Sequence, residues 1–293
     1  MGSAATGQVQ KRFGPGRVLL YAILVVLALV FLAPIYVMLN NSFKTLDEIR
    51  SGNLMAFPHE WTFAPWLAAW STAQIGVSPT GLRPFFLNSF LIVVPAVVIS
   101  TLIGALNGYI LTQFKFRGAN VLFAAMLFSV FMPFQIVLIP MARTLGLLGI
   151  AGTIKGLIFV NVVYGIGFTT LFFRNYYSAF PGELVRSARM DGAGFFGVLW
   201  RILLPNSAPI IVVTVIWQFT NIWNDFLFGA SFSNFSSYPM TVALNNLVNS
   251  STGVKEYNVH FAGAFIAAIP TLIVYLVSGK YFVRGLMAGS VKG

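Results

Sequence analysis

Long apolar stretches without acidic or basic side chains alternate with short charged segments along the chain. A bilayer core about 30 Å thick is crossed by a helix of roughly 20 apolar residues, in which every backbone polar group is paired. The pattern predicts six transmembrane helices, at about 18–40, 87–112, 119–142, 156–173, 207–230 and 261–281. The uncharged stretch after residue 230 is rich in Ser and Asn and contains Pro239, which favours a loop with a re-entrant turn. The predicted fold class is therefore all-α, a polytopic membrane helical bundle.

The composition supports a membrane protein and excludes most soluble classes. Hydrophobic residues make up 57% of the 293 residues and charged residues only 9%, whereas soluble proteins carry roughly 25% charged residues. Such a chain has too little charge to cover a water-facing surface, and its hydrophobicity excludes intrinsic disorder. Because the sequence contains no cysteine, disulfides, a thiol nucleophile and a thiolate metal site are also excluded.

The net charge of +11 is explained by membrane topology. Lys11, Arg12 and Arg17 precede the first span, which is too long for a cleaved signal peptide and is expected to be retained. Cytosolic loops are enriched in basic residues, so we expect the N-terminus in the cytosol. Alternation over six spans then places 12 of the 18 basic residues and the C-terminus on the same side. Nucleic acid is therefore not an expected partner.

Two loops are longer than a simple bundle requires. The outer loop at about 41–86 contains three Trp and is expected to include a short interfacial helix. The second long loop is the cytosolic loop 174–206. Long loops in compact domains are usually functional. The predicted organisation is a cytosolic segment 1–17, a first transmembrane helix and outer loop 18–86, a transmembrane core 87–283 that includes 174–206, and a cytosolic tail 284–293.

The chain lacks the residue patterns of an energy-coupling enzyme. Gly279-Lys280 is followed by Tyr and has no upstream phosphate-loop glycines, while His59 and His260 lie far apart. Proton- and sodium-coupled carriers usually hold ionisable groups or broken helices near mid-membrane, and the predicted spans carry no such group there. We therefore expect no catalytic residue, metal or cofactor on this chain, and energy supplied by another protein. A secondary carrier and a membrane-embedded enzyme are the weaker alternatives.

A polar stripe follows one side of the fifth predicted span, within an arc of roughly 60° at 100° per residue. Its members are Thr214, Gln218, Asn221 and Asp225, with Trp217 and Asn224 beside them. Amides and a carboxylate bind hydroxyl groups, and an aromatic ring stacks on the C–H face of a sugar ring, which indicates a solute path. Amides also join helices to one another in membranes, so helix packing and a solute path both stay open.

Small residues and prolines indicate how the spans pack. Gly104 and Gly108 in the second span form a Gly-x-x-x-Gly pattern, which lets another helix approach closely. We expect that helix to belong to the same bundle, with a subunit interface as the alternative. Prolines expected to kink helices are Pro34, Pro95, Pro133, Pro140 and Pro270.

The cytosolic loop carries the most specific pattern. Residues 183–191 contain no helix breaker and place Leu184, Ser187, Ala188 and Asp191 along one side. Gly192 and Gly194 then favour a tight turn, and a second amphipathic stretch runs from Phe195 to Leu203 and ends at Leu204-Pro205. Projecting helices of this kind dock into grooves on partner proteins.

This loop resembles the coupling loop of ATP-binding-cassette (ABC) importer permeases. The shared pattern is Ala188, three residues, Gly192, nine residues and Ile202-x-Leu204-Pro205. The order of spans and the ending 281–293 resemble the second, six-span subunit of maltose-type sugar permeases, over nearly the whole chain from about residue 18. The resemblance implies the type I ABC importer permease fold. The stretches 218–229, 242–247 and 253–258 look most like glucose/mannose permeases.

The resemblance implies a function and a set of partners. The chain would be a permease subunit in the cytoplasmic membrane of a bacterium or archaeon, surrounded by membrane lipid. Its partners would be a second ABC permease subunit, a dimer of ATP-binding subunits that carries ATP and Mg, and an extracytoplasmic sugar-binding protein. Alternating access driven by ATP hydrolysis would import a sugar, glucose or mannose, with an alpha-glucoside or other oligosaccharide as the alternative.

The resemblance also implies roles for particular residues. The ATPase-coupling residues are Glu183, Leu184, Arg186, Ser187, Ala188, Asp191, Gly192, Ala193, Gly194, Leu204 and Pro205. The substrate path is Thr214, Trp217, Gln218, Asn221, Trp223, Asn224 and Asp225, although in maltose-type importers the other permease makes most sugar contacts. Contacts with the binding protein are Asn245, Asn246, Lys255 and Tyr257, and contacts of the tail with the ATPase are Ser290, Val291, Lys292 and Gly293.

The coupling loop departs from the family pattern at one position. The family motif opens Glu-Ala-Ala, and the corresponding residues here are Arg186, Ser187 and Ala188. Glu183, three residues earlier, is close enough on a helix to pair with Arg186 or to replace its contact. We expect the ATPase either to present an acidic residue to Arg186 or to bind Glu183.

Overall fold

The structure is a computed structural model that describes residues 15–249 and 254–290, with residues 279–290 described by their backbone alone. Within these ranges the chain is helical and forms no β-strand. The helices are α1 Pro15–Asn41, α2 Leu46–Ser51, α3 Ala64–Ser71, α4 Arg83–Gln113, α5 Ala119–Phe131, α6 Phe134–Leu147, α7 Ile154–Ser178, α8 Gly182–Met190, α9 Phe195–Val198, a π-helical turn Leu199–Leu203, α10 Leu204–Asn206, α11 Ala208–Trp223, α12 Leu227–Phe232, a 3-10 turn Phe235–Ser237, α13 Met240–Asn249 and α14 Tyr257–Ser290.

Four of the described helices are long and apolar enough to cross a membrane: α1, α4, α7 and the part Tyr257–Ser278 of α14. Two bent helix pairs add further candidates. They are α5 with α6, bent by 104°, and Phe195–Asn206 with α11, bent by 80°. The described residues therefore hold four candidate spans, or six when each bent pair counts as one, and six is the number that the hydrophobic pattern predicts.

The third and fifth spans follow a different course from the one predicted. The third breaks at Met132 and Pro133, which adopt extended backbone conformations, because proline donates no N–H and disfavours a helical residue before it. The fifth helix ends at Trp223 rather than near residue 230, and α12 begins after a short turn. The other predicted kink sites lie inside α1, α4, α6 and α14.

Helices α4 and α7 pack closely against each other. An added Cβ at Gly104 would lie 2.5 Å from the Cβ of Thr169, and one at Gly108 would lie 2.8 Å from the backbone of Phe173. The Thr169 hydroxyl donates to Ser100 O at 2.9 Å across the same contact. The glycine pair therefore serves packing within the bundle, as predicted, rather than a subunit interface.

The chain divides into two units. The smaller comprises the residues up to Trp66 together with Glu256–Ala262, and the larger comprises Leu67–Lys255 and the chain from Gly263 onward. In the smaller unit, the side-chain amides of Asn40 and Asn41 at the end of α1 donate to carbonyl groups of the outer loop at 2.5 and 2.9 Å. This loop includes α2, so the prediction of a short helix there is confirmed.

Candidate functional site

Residues 182–206, which we call the 182–206 segment, connect α7 to α11. Glu183 lies in the first turn of α8 and Arg189 in its last, where each charge complements the helix dipole. The chain leaves α8 through Gly192, which has a φ of 84°. Glycine adopts such positive φ angles more readily than other residues. The Ala193 N–H donates to Ala188 O at 2.9 Å. The predicted helix, glycine turn and second helix are confirmed.

One face of α8 packs onto the neighbouring ends of α4 and α7. Val185 and Ala188, three residues apart and hence on one face, are buried in a cluster with Ala105, Tyr109, Phe173, Tyr177, Val198, Leu199 and Leu203. The side chain of Ala188, one of the predicted coupling residues, thus packs inward rather than outward. Leu184 and Met190 are instead the apolar side chains of α8 that are exposed, by 48% and 82%.

An arginine and three aromatic rings join α8 to the end of α4. The Arg189 guanidinium lies 5.2 Å from the Phe114 ring centroid, and its Nη2 is 3.5 Å from the Tyr109 hydroxyl. The ring of Phe195 lies 4.9 Å from that of Tyr109 and 5.7 Å from that of Phe114. These side chains therefore place α8 and the end of α4 in direct contact.

Most of the remaining predicted coupling residues are accessible to a partner. Those that are exposed are Glu183, Arg186, Ser187, Asp191, Gly192, Gly194 and Pro205, and those that are half-buried are Ala193 and Leu204. Glu183 and Arg186 form no ion pair with each other. Both charges are thus free to face another protein.

A cavity of about 260 Å³ lies between α6, α7 and α11. Its lining residues are Val130, Phe134, Asn161, Tyr164, Gly165, Phe168, Trp217, Gln218, Asn221, Ile222, Asp225 and Phe228. Four of the seven residues predicted for the substrate path are among them. The lining contains one carboxylate and no Lys, Arg or His, so it suits a neutral polar solute better than an anion.

The predicted polar residues at this cavity also hold the bundle together. Gln218, 2% exposed, donates from Nε2 to the Ser100 hydroxyl of α4 at 2.9 Å. The Asp225 carboxylate accepts hydrogen bonds from the N–H groups of Phe228 and Gly229 at 3.3 and 3.2 Å and so caps α12. Asn221 is exposed and donates to the Trp217 carbonyl at 2.8 Å. The same side chains therefore line the cavity and hold the helices together.

Aromatic rings line the other walls of the cavity. Phe168 and Trp217 are 4.0 Å apart between ring centroids, and Tyr164 lies 4.7 Å from Phe228. Phe134, at the start of α6, contacts Tyr164 at 5.3 Å. Phe134 is the first residue after the break at Pro133, where α6 bends by 104° from α5.

Three residues predicted for the substrate path lie outside the cavity lining. Trp223 is 1% exposed, donates from Nε1 to Ala267 O at 2.8 Å and stacks on Phe219. Thr214 is fully buried and donates to the Ile210 carbonyl. Asn224 is exposed and donates to the Thr220 carbonyl.

Sequence reasoning missed the residues that α6 and α7 contribute. Asn161 is an amide in an apolar span, and Tyr164 and Phe168 follow it on the same helix face at spacings of three and four residues. A search for polar and aromatic residues at helical spacing in every span, rather than only in the fifth, would have identified them.

The predicted contacts with external proteins are placed as follows. Asn245 is exposed and Asn246 half-buried on α13, and Lys255 and Tyr257 are exposed. The backbone of Ser290 ends α14, while its side chain and the predicted tail contacts Val291, Lys292 and Gly293 lie outside the described residues.

Known proteins share this arrangement of helices. A crystal structure of a bacterial ABC transporter involved in the import of the acidic polysaccharide alginate contains a chain with TM-score 0.78 and 21% identity, covering 90% of this chain and 95% of that one. The likeness confirms the predicted type I ABC importer permease fold.

Sequence comparison identifies the family. The chain is 38% identical over 284 residues to a probable ABC transporter permease protein of Pyrococcus horikoshii, covering 97% of this chain and all of that one. It is 29% identical over 282 residues to a glucose import system permease protein of Saccharolobus solfataricus, covering 93% and 95%. Residues 96–286 match the model of one family. The chain therefore belongs to the family of binding-protein-dependent transport system inner membrane components.

Proposed function

We propose that this protein is a permease subunit of an ABC sugar importer, through which a neutral sugar crosses the inner membrane. The observation that supports it most is the cavity between α6, α7 and α11, which combines amides with aromatic rings and holds no basic side chain. Amides bind sugar hydroxyls, and aromatic faces stack on sugar rings. A membrane-transport family and a cavity of this chemistry together favour a carbohydrate over an ion or an acid.

In this proposal the 182–206 segment receives the motion of a partner ATPase. ATP and Mg bind the partner, and this chain carries out no bond chemistry. The exposed side chains of Leu184, Arg186 and Met190 meet the ATPase surface, while the buried face of α8 passes the displacement to α4 and α7. Arg186 contacts an acidic residue of the ATPase, because it is exposed and forms no ion pair with Glu183.

The proposed topology places both chain ends and the 182–206 segment in the cytosol. A second permease subunit completes the pathway, and an extracytoplasmic sugar-binding protein delivers the sugar near Asn245, Asn246, Lys255 and Tyr257. The basic residues of the 182–206 segment and of the α4–α5 loop support this orientation, since cytosolic loops are enriched in Lys and Arg.

We propose a hexose, glucose or mannose, as the substrate, with an alpha-glucoside as the second candidate. The stretches 218–229, 242–247 and 253–258, which resemble glucose/mannose permeases, favour the hexose, while the amides and aromatic rings of the cavity suit the sugar rings of both candidates. The relatives do not choose between the two, because one is named for glucose import and another for alpha-glucoside transport.

Subunit composition and transport test the proposal. The tagged chain, purified gently in detergent, should carry one different permease and two ATPase chains by native mass spectrometry. Reconstituted with its binding protein, the complex should take up labelled glucose or mannose only with ATP; uptake of maltose instead would select the alpha-glucoside candidate. Proton- or sodium-driven uptake by this chain alone would refute the importer.

A matched pair of variants tests the cavity itself. Asn221 lines the cavity and Asn224 does not, yet both are exposed near the end of α11 and both donate to the carbonyl four residues earlier. Asn221→Ala should lower sugar uptake, since it removes an amide from the wall, whereas Asn224→Ala should leave uptake unchanged. Equal effects of the two substitutions would argue against this wall as part of the sugar path.

A further inference from the structure

We propose that the loop between α4 and α5 binds the headgroup of an anionic phospholipid. Consecutive residues 111–121 line a concavity of about 520 Å³. Within it two basic residues, Lys115 and Arg117, alternate with two aromatic residues, Phe114 and Phe116, and all four are exposed. Basic pockets at the ends of transmembrane helices are recognised sites for lipid headgroups.

The positive charge of this loop is not balanced by the chain itself. Neither Lys115 nor Arg117 forms an ion pair with any carboxylate that the structure describes. The sequence contains no Asp or Glu between Glu60 and Glu183, so α4, α5, α6 and α7 supply no acidic side chain. A negatively charged group from outside the chain therefore suits the concavity.

The helix that follows the loop offers a surface for the acyl chains of the same lipid. Helix α5 has no buried residue, and Val121, Phe128 and Phe131 are exposed by 74%, 69% and 79%, respectively. Its 13 residues extend about 20 Å, which exceeds the roughly 15 Å that one leaflet contributes to a 30 Å core. Acyl chains can therefore lie along α5 while the headgroup occupies the loop, and this continuity selects a lipid over a soluble anion.

The loop lies at the same end of the bundle as the 182–206 segment. Phe114 at its start contacts the ring of Phe195 and the guanidinium of Arg189. A bound headgroup would thus sit beside the segment that we propose to meet the ATPase. Lipid binding measured in detergent depends neither on that proposed role nor on the orientation in the membrane, so the two proposals can fail separately.

The test measures lipid retained by the complete purified protein, with whatever subunits accompany it. Native mass spectrometry counts phosphatidylglycerol bound at increasing lipid concentration, with phosphatidylcholine as the uncharged comparison and inorganic phosphate as a soluble competitor. The test variant is Lys115→Ala/Arg117→Ala, and Lys115→Arg/Arg117→Lys keeps the charge. The control is Arg143→Ala/Lys155→Ala, which removes two exposed basic side chains. Of these, Lys155 lies in the first turn of α7, at the end away from the 182–206 segment.

The Lys115→Ala/Arg117→Ala variant should weaken phosphatidylglycerol binding by roughly fivefold for each basic residue removed, while the control and the charge-keeping variant retain it. An unchanged melting temperature without lipid would show that the variant is folded. Equal phosphatidylglycerol binding in the test and control variants would overturn the proposal. Displacement of phosphatidylglycerol by millimolar inorganic phosphate would indicate a site for a soluble anion and would also overturn the proposal. So would a Lys115→Ala/Arg117→Ala variant that loses a partner subunit but keeps its lipid, since that result would indicate a protein contact.

Discussion

Replacing Gly104 with Ala tests how closely α4 and α7 must approach. The added Cβ would lie 2.5 Å from both the Cβ and the Oγ1 of Thr169 and 2.7 Å from the backbone carbonyl carbon of that residue. Carbon atoms in ordinary contact are about 3.5–4.0 Å apart. The backbone of α4 or α7 would therefore have to move by about 1 Å, because rotating the Thr169 side chain does not move its Cβ or backbone.

The expected magnitude combines one gain and two losses. Gly→Ala inside a helix stabilises it by about 1 kcal/mol. Overpacking costs about 1–3 kcal/mol, and displacing Thr169 removes its 2.9 Å hydrogen bond to Ser100 O, worth roughly 0.5–1.5 kcal/mol. The net effect is a destabilisation of roughly 0.5–3.5 kcal/mol. Gly146→Ala in α6 is the matched control, since nothing lies within 4 Å of its added Cβ, and it should keep the gain.

The assay heats each detergent-solubilised variant and measures the fraction that remains monodisperse by fluorescence-detected size exclusion. Gly104→Ala should lose its folded fraction at a lower temperature than the unmodified protein, and Gly146→Ala at the same or a higher temperature. If Gly104→Ala were as stable as Gly146→Ala, the close contact between α4 and α7 would not hold in the purified protein, and the glycine pair would have to be assigned to a subunit interface.

Three further substitutions have defined outcomes. Arg189→Ala should reduce sugar transported per ATP hydrolysed by roughly twofold to fivefold, because it removes a cation–π contact worth about 0.5–1 kcal/mol; an unchanged ratio in reconstituted vesicles would contradict this. Arg186→Glu should weaken assembly with the ATPase up to about fivefold, as an exposed ion pair contributes about 0–1 kcal/mol, and unchanged ATPase retention on an affinity column would dismiss the contact. Trp223→Phe should lower stability by roughly 0.5–1.5 kcal/mol through loss of the Nε1 bond to Ala267 O without changing sugar preference, and an altered preference in uptake assays would return Trp223 to the substrate path.

The sequence predicts the number and approximate position of the spans because length and apolar content alone decide whether a helix can cross a bilayer. It does not predict which proline interrupts a helix. Pro95 lies inside continuous α4, while Pro133 separates α5 from α6. Both remove one backbone hydrogen bond, so the difference arises from the packing around each proline, which local sequence does not specify.

The candidate site was predicted on the helix where polar residues are dense and missed where they are sparse. Gln218, Asn221 and Asp225 share one face of the fifth span, and the 100° repeat is sufficient to group them. Asn161 is equally part of the cavity, but its pairing with that face depends on how α7 lies against α11. Trp223 shows the opposite error, because its proximity in sequence to the polar stripe did not place its side chain at the cavity.

Two helices, α11 and α4, connect the 182–206 segment to the cavity. The 182–206 segment continues through Ser207, whose hydroxyl lies 3.2 Å from that of Tyr177, directly into α11. Gln218, about 16 Å further along α11 at 1.5 Å per residue, lines the cavity and donates to Ser100 of α4. The other end of α4 contacts the same segment through Arg189. Because close-packed interiors have low compressibility and transmit strain, the proposed mechanism expects a displacement of the 182–206 segment to move α4 and α11 together, with the Gln218–Ser100 bond joining the two helices at the cavity wall.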